Sequence, residues 1–440
     1  MLHRRHVSAH TLAPCKRVDD SVRRPRIGAG LPEGSTAVSD GFEATRVPRR
    51  TLAGATILQI VPAMYEEPRT RAALNVAFAL LQAGARALVA AADGPLVGEL
   101  RAYGGEWVDL PNETVNPFRL RRNARALENL IAAERIDIVH AQSAGGAWSA
   151  RIAAARIAVW LVTTLPDAPV TGRRWPSSIA AALAQGDRII APSIYAATPV
   201  MKRYRIADDQ ITVIPREIDT AGFDPLAVAP ERSEALRRAW KIPSFARIVL
   251  VPGRVAPWNG QIIVPEVLSA LADAGLEGVV FVVVGEHATH RHYAREVMKQ
   301  ARERGVERLL RLIGHCRDMP AAFAAADLVA VTAVEPPLLG SVVAQAQAMA
   351  RPVVTSDVGM LPEHVLVPPR MPEELRTGWV VPAADSIGLA QTLKLALELY
   401  PTEYQAMAAR ARQFAEYMFS PQSAAAATRA VYMSLLARDL

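Results

Sequence analysis

The strongest constraint on this chain is a rhythm that runs through it twice. Short, mostly apolar runs closed by a breaker alternate with longer stretches of helical spacing. The run from Ala55 to Pro62 is the first, followed by a helical stretch over about Thr70–Ala83 with Gly84 as its stop. Apolar runs at Ala87–Ala91, Glu106–Leu110, Ile136–His140, Val159–Thr164, Arg188–Pro192 and Ile211–Pro215 continue the pattern, with helices predicted over Gly94–Tyr103, Phe118–Glu134, Ala147–Ile157 and Ser177–Gln185. A run without polar alternation is one buried on both faces, as strands are in a parallel sheet covered by helices. Asp224-Pro225 and Pro230 then interrupt it, and the rhythm restarts at Arg247–Arg254. Strands are expected at Val279–Gly285, Leu309–Gly314, Leu328–Val334, Pro352–Ser356 and Gly378–Pro382, with helices over Gln261–Ala274, Tyr293–Arg304, Met319–Ala326 and Ser341–Ala350. The expectation is an α/β protein with two Rossmann-like, doubly wound domains. The divisions are a tail 1–50, a domain 51–222, a linker 223–243, a domain 244–400 and a C-terminal helical segment 401–440.

Composition narrows the function classes. The chain is 51% hydrophobic and 21% charged, enough for a packed core in each half. Residues 1–50 hold ten Lys/Arg against five Asp/Glu, so +5 of the net +7 lies there, and the remainder carries about +2. That tail reads as a flexible leader. It lacks the aromatic interleaving of a nucleic-acid binder, so no nucleic-acid partner is expected. The two cysteines, Cys15 and Cys316, have no metal-ligand spacing, and neither a metal nor a cofactor is expected. No run of eighteen apolar residues occurs. The location expected is the cytoplasm. Contact with the inner membrane face through basic patches stays open, and Arg119, Arg121, Arg122 and Arg125 on one predicted helix are the candidates beside a plain solvated face.

In doubly wound sheets ligands bind beyond the carboxyl ends of the strands. That rule selects Gly253 and Arg254 in the stretch Val251–Gln261, where glycine permits close backbone approach and a guanidinium can clamp phosphate. It selects Glu335–Ser341, which opens a helix whose amides could take a diphosphate. Gln345 and Glu363 follow, each able to reach a ribose hydroxyl or to be plain surface. It selects His140 in Asp137–Ser143, either a site group or a hydrogen-bonded structural histidine.

These segments together resemble glycosyltransferase family 4, a group of retaining GT-B enzymes with nucleotide-sugar donors. The likeness runs from about Thr56 to Leu436. It rests on Asp137–Ser143, Val213–Asp219 with Phe223–Pro225, Gly253–Gln261, Gly314–Pro320, Ala344–Val353 and Thr377–Pro382. The resemblance implies two domains facing across a cleft, and transfer from a nucleotide-diphosphate sugar to a cell-surface glycan or lipid acceptor. It makes His140 and Arg254 catalytic candidates. Donor binding would fall to Gly253, Arg254, Asn259, His315, Leu338, Leu339, Gly340, Gln345 and Glu363. The last helix, around Pro401–Tyr417, would cross back onto the first domain.

The chain also departs from the family pattern. Asn259 stands where the family has lysine, and Pro337 and Gln345 stand in place of two glutamates. Glu66-Glu67-Pro68 replaces a glycine pair, Leu165-Pro166-Asp167 lacks a histidine, and Glu217 replaces a glycine. Two readings follow: a transferase with weakened or altered donor use, or a non-catalytic relative that binds nucleotide or a partner transferase.

Overall fold

The computed structural model describes residues 51–167, 181–336 and 340–438. The tail 1–50, the start of the helix expected at Ser177, and Pro337, Leu338 and Leu339 lie outside the described residues.

Both halves form parallel sheets, as the apolar runs require. The first holds β1 (Thr56–Ala63), β2 (Arg86–Ala92), β3 (Glu106–Asp109), β4 (Ile138–Ala141), β5 (Trp160–Thr164), β6 (Arg188–Ala191) and β7 (Ile211–Val213), in the order β3-β2-β1-β4-β5-β6-β7. The second holds β8 (Arg247–Pro252), β9 (Val279–Val284), β10 (Leu310–Gly314), β11 (Leu328–Val331), β12 (Val353–Ser356) and β13 (Gly378–Val381), ordered β10-β9-β8-β11-β12-β13. The strand order reverses beside β1 and β4 in the first sheet, and beside β8 and β11 in the second. Those two switch points are where such sheets open a crevice.

Period-two packing is plain in β9. Val279, Phe281 and Val283 enter one core cluster, while Val280, Val282 and Val284 enter the cluster on the other face. All six are buried. Each such side chain contributes about 1.5–3 kcal/mol by leaving water, so the helices on both faces are held by the strand between them. In β1, Ile57 and Val61 face one cluster and Leu58 and Ile60 the other.

The structure adds one helix to the predicted set, Ile194–Tyr204. Pro199 lies inside it, and a proline there reads from sequence as a break, because its ring nitrogen cannot donate to the preceding turn. The start is nevertheless well signalled: Ser193 accepts a hydrogen bond from the Ala196 amide at 3.0 Å.

The linker carries the short charged helix expected after Pro230 and is packed against the second domain. A helix spans Pro230–Ala239, and Val228, Trp240 and Ile242 are buried in the second domain's core. The C-terminal segment is two helices, Pro401–Phe419 and Pro421–Leu436, divided at Ser420. The return to the first domain is made by the second of these, where Val431, Tyr432, Leu435 and Leu436 join Ile57, Leu74 and Leu80 in one core. Helix Pro401–Phe419 stays against the second domain, with Met407 in its core. Arg412 on that helix donates to the carbonyls of Phe223 (2.5 Å) and Ala348 (2.7 Å), tying the crossing strand of chain to the second domain.

Candidate active site

A cavity of about 610 Å³ lies between the two sheets. Asn75, Asp167, Arg216 and Glu217 line its first-domain side, and Gly340, Ser341, Gln345 and His364 its second-domain side. The second-domain wall is the start of the helix Ser341–Ala348. Amides at such a start have no partner within their own helix and favour an anion. Gly340 is buried, and a Cβ there would lie 2.8 Å from His364 Cε1, so the backbone passes closely over that ring. His364 Nδ1 donates to the Gly340 carbonyl at 3.1 Å. Burial lowers the His364 pKa, which favours the neutral ring.

Gly253 and Arg254 follow β8 as expected. Gly253 has φ +134°, and a Cβ at Gly285 would lie 1.9 Å from the Gly253 carbonyl, so both positions need glycine. The Arg254 side chain is 58% exposed, and its Nε is 3.9 Å from Glu286 Oε2, too far for a hydrogen bond. The guanidinium is exposed and within ion-pair reach of Glu286, and neither Gly253 nor Arg254 lines the cavity. The Asn259 side chain is engaged: its Nδ2 donates to the Arg254 carbonyl at 2.7 Å, and Gln261 Nε2 donates to the same oxygen at 2.9 Å. Asn259 thus shapes the turn that presents Arg254. The same turn grips the end of β11, through Thr332 Oγ1 donating to the Asn259 carbonyl at 2.7 Å. His315 is exposed after β10 and does not line the cavity. Leu338 and Leu339 lie outside the described residues.

His140 is 3% exposed. Its Nδ1 is 2.6 Å from the Tyr432 hydroxyl and its Nε2 is 2.7 Å from Thr164 Oγ1. Burial pushes its pKa down to about 3. Both ring nitrogens are engaged and the ring is neutral, so His140 clamps the returning helix to the sheet. It lines only a small neighbouring void of about 70 Å³. Glu363 also differs from expectation, because its carboxylate accepts from the Ile194 and Tyr195 amides, each at 2.7 Å, at the start of the helix that Pro199 had concealed.

The positions that depart from the family pattern find partners. Arg71 bridges Glu66 (2.5 Å) and Glu99 (2.6 Å), so one guanidinium answers two carboxylates. Asp167 pairs with Arg216. Asn75 Nδ2 donates to Glu217 Oε1 at 2.5 Å, while Glu217 Oε2 is buried without a partner. Burial raises the Glu217 pKa above the usual carboxylate range. The Asn75–Glu217 pairing is not visible in sequence, since the two lie 142 positions apart.

Two switch-point sheets of this order, set against one shared cavity, define the GT-B class of glycosyltransferase fold. Known proteins agree. Residues 70–222 match the model of Glycosyltransferase Family 4, and residues 246–398 match that of Glycosyl transferases group 1. Both halves are therefore glycosyltransferase domains, and the chain belongs to glycosyltransferase family 4. Curated relatives include the D-inositol 3-phosphate glycosyltransferase of Salinispora arenicola, 31% identical over 186 residues (41% of each chain). That of Saccharomonospora viridis is 28% identical over 217 residues, 48% of this chain and 47% of the relative. The chain thus spans under half the length of the curated relatives it matches. Among solved structures, a glycosyltransferase from Rickettsia africae superposes with TM-score 0.71 at 23% identity, covering 87% of this chain and 99% of the other. Anabaena HepE in complex with UDP and glucose superposes with TM-score 0.63 at 20% identity, covering 86% and 100%.

Proposed function

We propose that this protein moves a sugar from a nucleotide-diphosphate sugar to a hydroxyl of a cell-surface glycan or lipid acceptor. The observation that carries this is the interdomain cavity, with the open start of helix Ser341–Ala348 on one wall. The Gly340 and Ser341 amides would take the distal phosphate, and Arg254 would clamp the diphosphate with parallel hydrogen bonds. Gln345, on the cavity wall, would accept from a ribose hydroxyl. In this reading amides and a guanidinium answer the leaving group's charge, and no metal ion is called on. The relatives named for inositol 3-phosphate and the UDP and UDP-glucose complexes of Anabaena HepE support a sugar transfer from a nucleotide-sugar donor.

The location proposed is the cytoplasm, at the inner membrane face. Arg119, Arg121, Arg122 and Arg125 are exposed on the helix Pro117–Glu134 beside Phe118, itself 77% exposed. Guanidinium groups flanking an exposed aromatic suit an anionic lipid surface. No helix among the described residues is long and apolar enough to cross a membrane.

One observation favours the second reading, a nucleotide-binding subunit without turnover: both His140 ring nitrogens are engaged, and burial weakens the ring as a base. A panel of uridine, guanosine and adenosine diphosphate sugars separates the two. Turnover that Arg254→Ala reduces at least about a hundredfold supports transfer. Calorimetric binding of the nucleoside diphosphates without turnover or hydrolysis moves the assignment to the second reading, and neither binding nor turnover removes both.

A further inference from the structure

Glu363 sits on the short turn Leu361–His364 in the second domain, next in sequence to His364, which lines the cavity. Its two carboxylate oxygens accept from Ile194 and Tyr195, the first two residues of helix Ile194–Tyr204 in the first domain. The third amide, Ala196, is taken by Ser193 within the same domain. The helix start is therefore capped jointly, two amides from across the cleft and one locally. A carboxylate there is also favoured by the helix dipole. The next residue, His364, holds the Gly340 carbonyl. Gln347, on the helix that Gly340 precedes, in turn donates to the His364 carbonyl. One short turn thus touches both the interdomain contact and the backbone that opens the proposed phosphate cradle.

We propose that Glu363 is a positioning residue, an interdomain latch whose carboxylate caps helix Ile194–Tyr204 and holds the cleft walls in register with the Gly340 cradle. The link to phosphate binding rests on the function proposed above; the latch does not. A ligand that orders Gly340 orders the turn Leu361–His364 through His364, and with it the carboxylate. Donor occupancy and cleft closure are coupled in this way without Glu363 touching the donor.

Residue-resolved hydrogen exchange on the full chain tests this without substrate. Glu363→Ala is expected to speed exchange of the Ile194 and Tyr195 amides at least about tenfold, while Ala196, bonded to Ser193, stays within about twofold of wild type. Glu363→Gln, which keeps one neutral acceptor, falls between. Ile194→Pro approaches from the other side. It deletes one donor at the helix position proline suits best, and Ser193 before it is already extended, at φ −164° and ψ 162°. In that variant Tyr195 is expected to exchange at least about threefold faster, which keeps the test intact if the glutamate variants fold poorly. Adding UDP as probe should slow Ile194 and Tyr195 in wild type at least about threefold and leave them unchanged in Glu363→Ala. In turnover, Glu363→Ala should lower kcat severalfold with a smaller change in acceptor KM, and Glu363→Gln should restore part of it. Wild-type exchange rates at Ile194 and Tyr195 in Glu363→Ala would overturn the latch. Equal slowing by UDP in both proteins would overturn the coupling. A chain that transfers no sugar still answers the exchange test, so failure of the latch and failure of the transferase reading are told apart.

Discussion

Replacing His140 with glutamine should flatten the acid side of the stability curve, and the size of the effect follows from burial. In the unfolded chain the imidazole binds a proton near pH 6.5, whereas the folded environment pushes its pKa down to about 3. The folded-state pKa is depressed, so the contribution is present above the unfolded value and is lost as pH falls from 6.5 toward 3. Between pH 7 and pH 5 the unfolded state gains most of a proton that the folded state refuses. The integrated cost is about 2 kcal/mol for wild type. His140→Gln is less stable at pH 7, because the contacts to Tyr432 and Thr164 are weakened. Its loss between pH 7 and pH 5 should nevertheless be smaller than that of wild type by about 2 kcal/mol. Urea unfolding followed by tryptophan fluorescence at the two pH values gives this double difference, and the carboxylates shared by both proteins cancel in it. Equal losses in the two proteins would refute the argument. That result would mean His140 protonates in the folded state, as a base in the cleft would.

Three further outcomes are expected. Glu217→Gln should stabilise the protein at pH 7: the raised folded-state pKa means Glu217 contributes below the carboxylate range and loses that contribution as pH rises. The gain should vanish below about pH 4 in the same urea assay. Asp167→Ala should cost roughly 2 kcal/mol, because it leaves the Arg216 guanidinium unpaired at a partly buried position, and Asp167→Ala with Arg216→Ala should recover at least half of that; additive losses would count against the pairing. Arg254→Ala should weaken nucleoside diphosphate binding in calorimetry by at least about tenfold, or ~1.4 kcal/mol, with unfolding unchanged within about 0.5 kcal/mol, since the side chain is exposed.

The two sheets were legible because a strand buried on both faces must be apolar throughout, as Val279–Val284 is, and the turn after β8 was legible because Gly253 needs a positive φ. Reading by strand end also reached Gly340 and Gln345 on the cavity wall. Sequence reasoning missed what depends on distant partners. His140 stands at a strand end as a site residue would, and only the return of Tyr432 shows that both its nitrogens are engaged. Glu363 reads in sequence as a ribose contact or plain surface, whereas its partners are amides 169 and 168 positions away. Arg71 gave a usable signal, five residues after Glu66 and on the helix that follows it, and that signal was overlooked.

The departures from the family pattern bear on which reading of function holds. A cleft released from any ligand would tolerate unpaired polar groups only at a cost, since a buried charge without a partner loses several kcal/mol. Here Glu66 meets Arg71, Asp167 meets Arg216, Glu217 meets Asn75, and Asn259 anchors the carbonyl of Arg254. Three of these four contacts also line the interdomain cavity, so the substitutions reorganise its first-domain wall while leaving the Gly340 cradle in place. Arg71 and Arg216 answer part of the carboxylate charge in that wall, and the Arg254 side chain stays exposed. Among these pairs Glu217 Oε2 is the one oxygen buried without a partner, so the cost of the rearranged wall falls on that carboxylate, whose pKa burial raises.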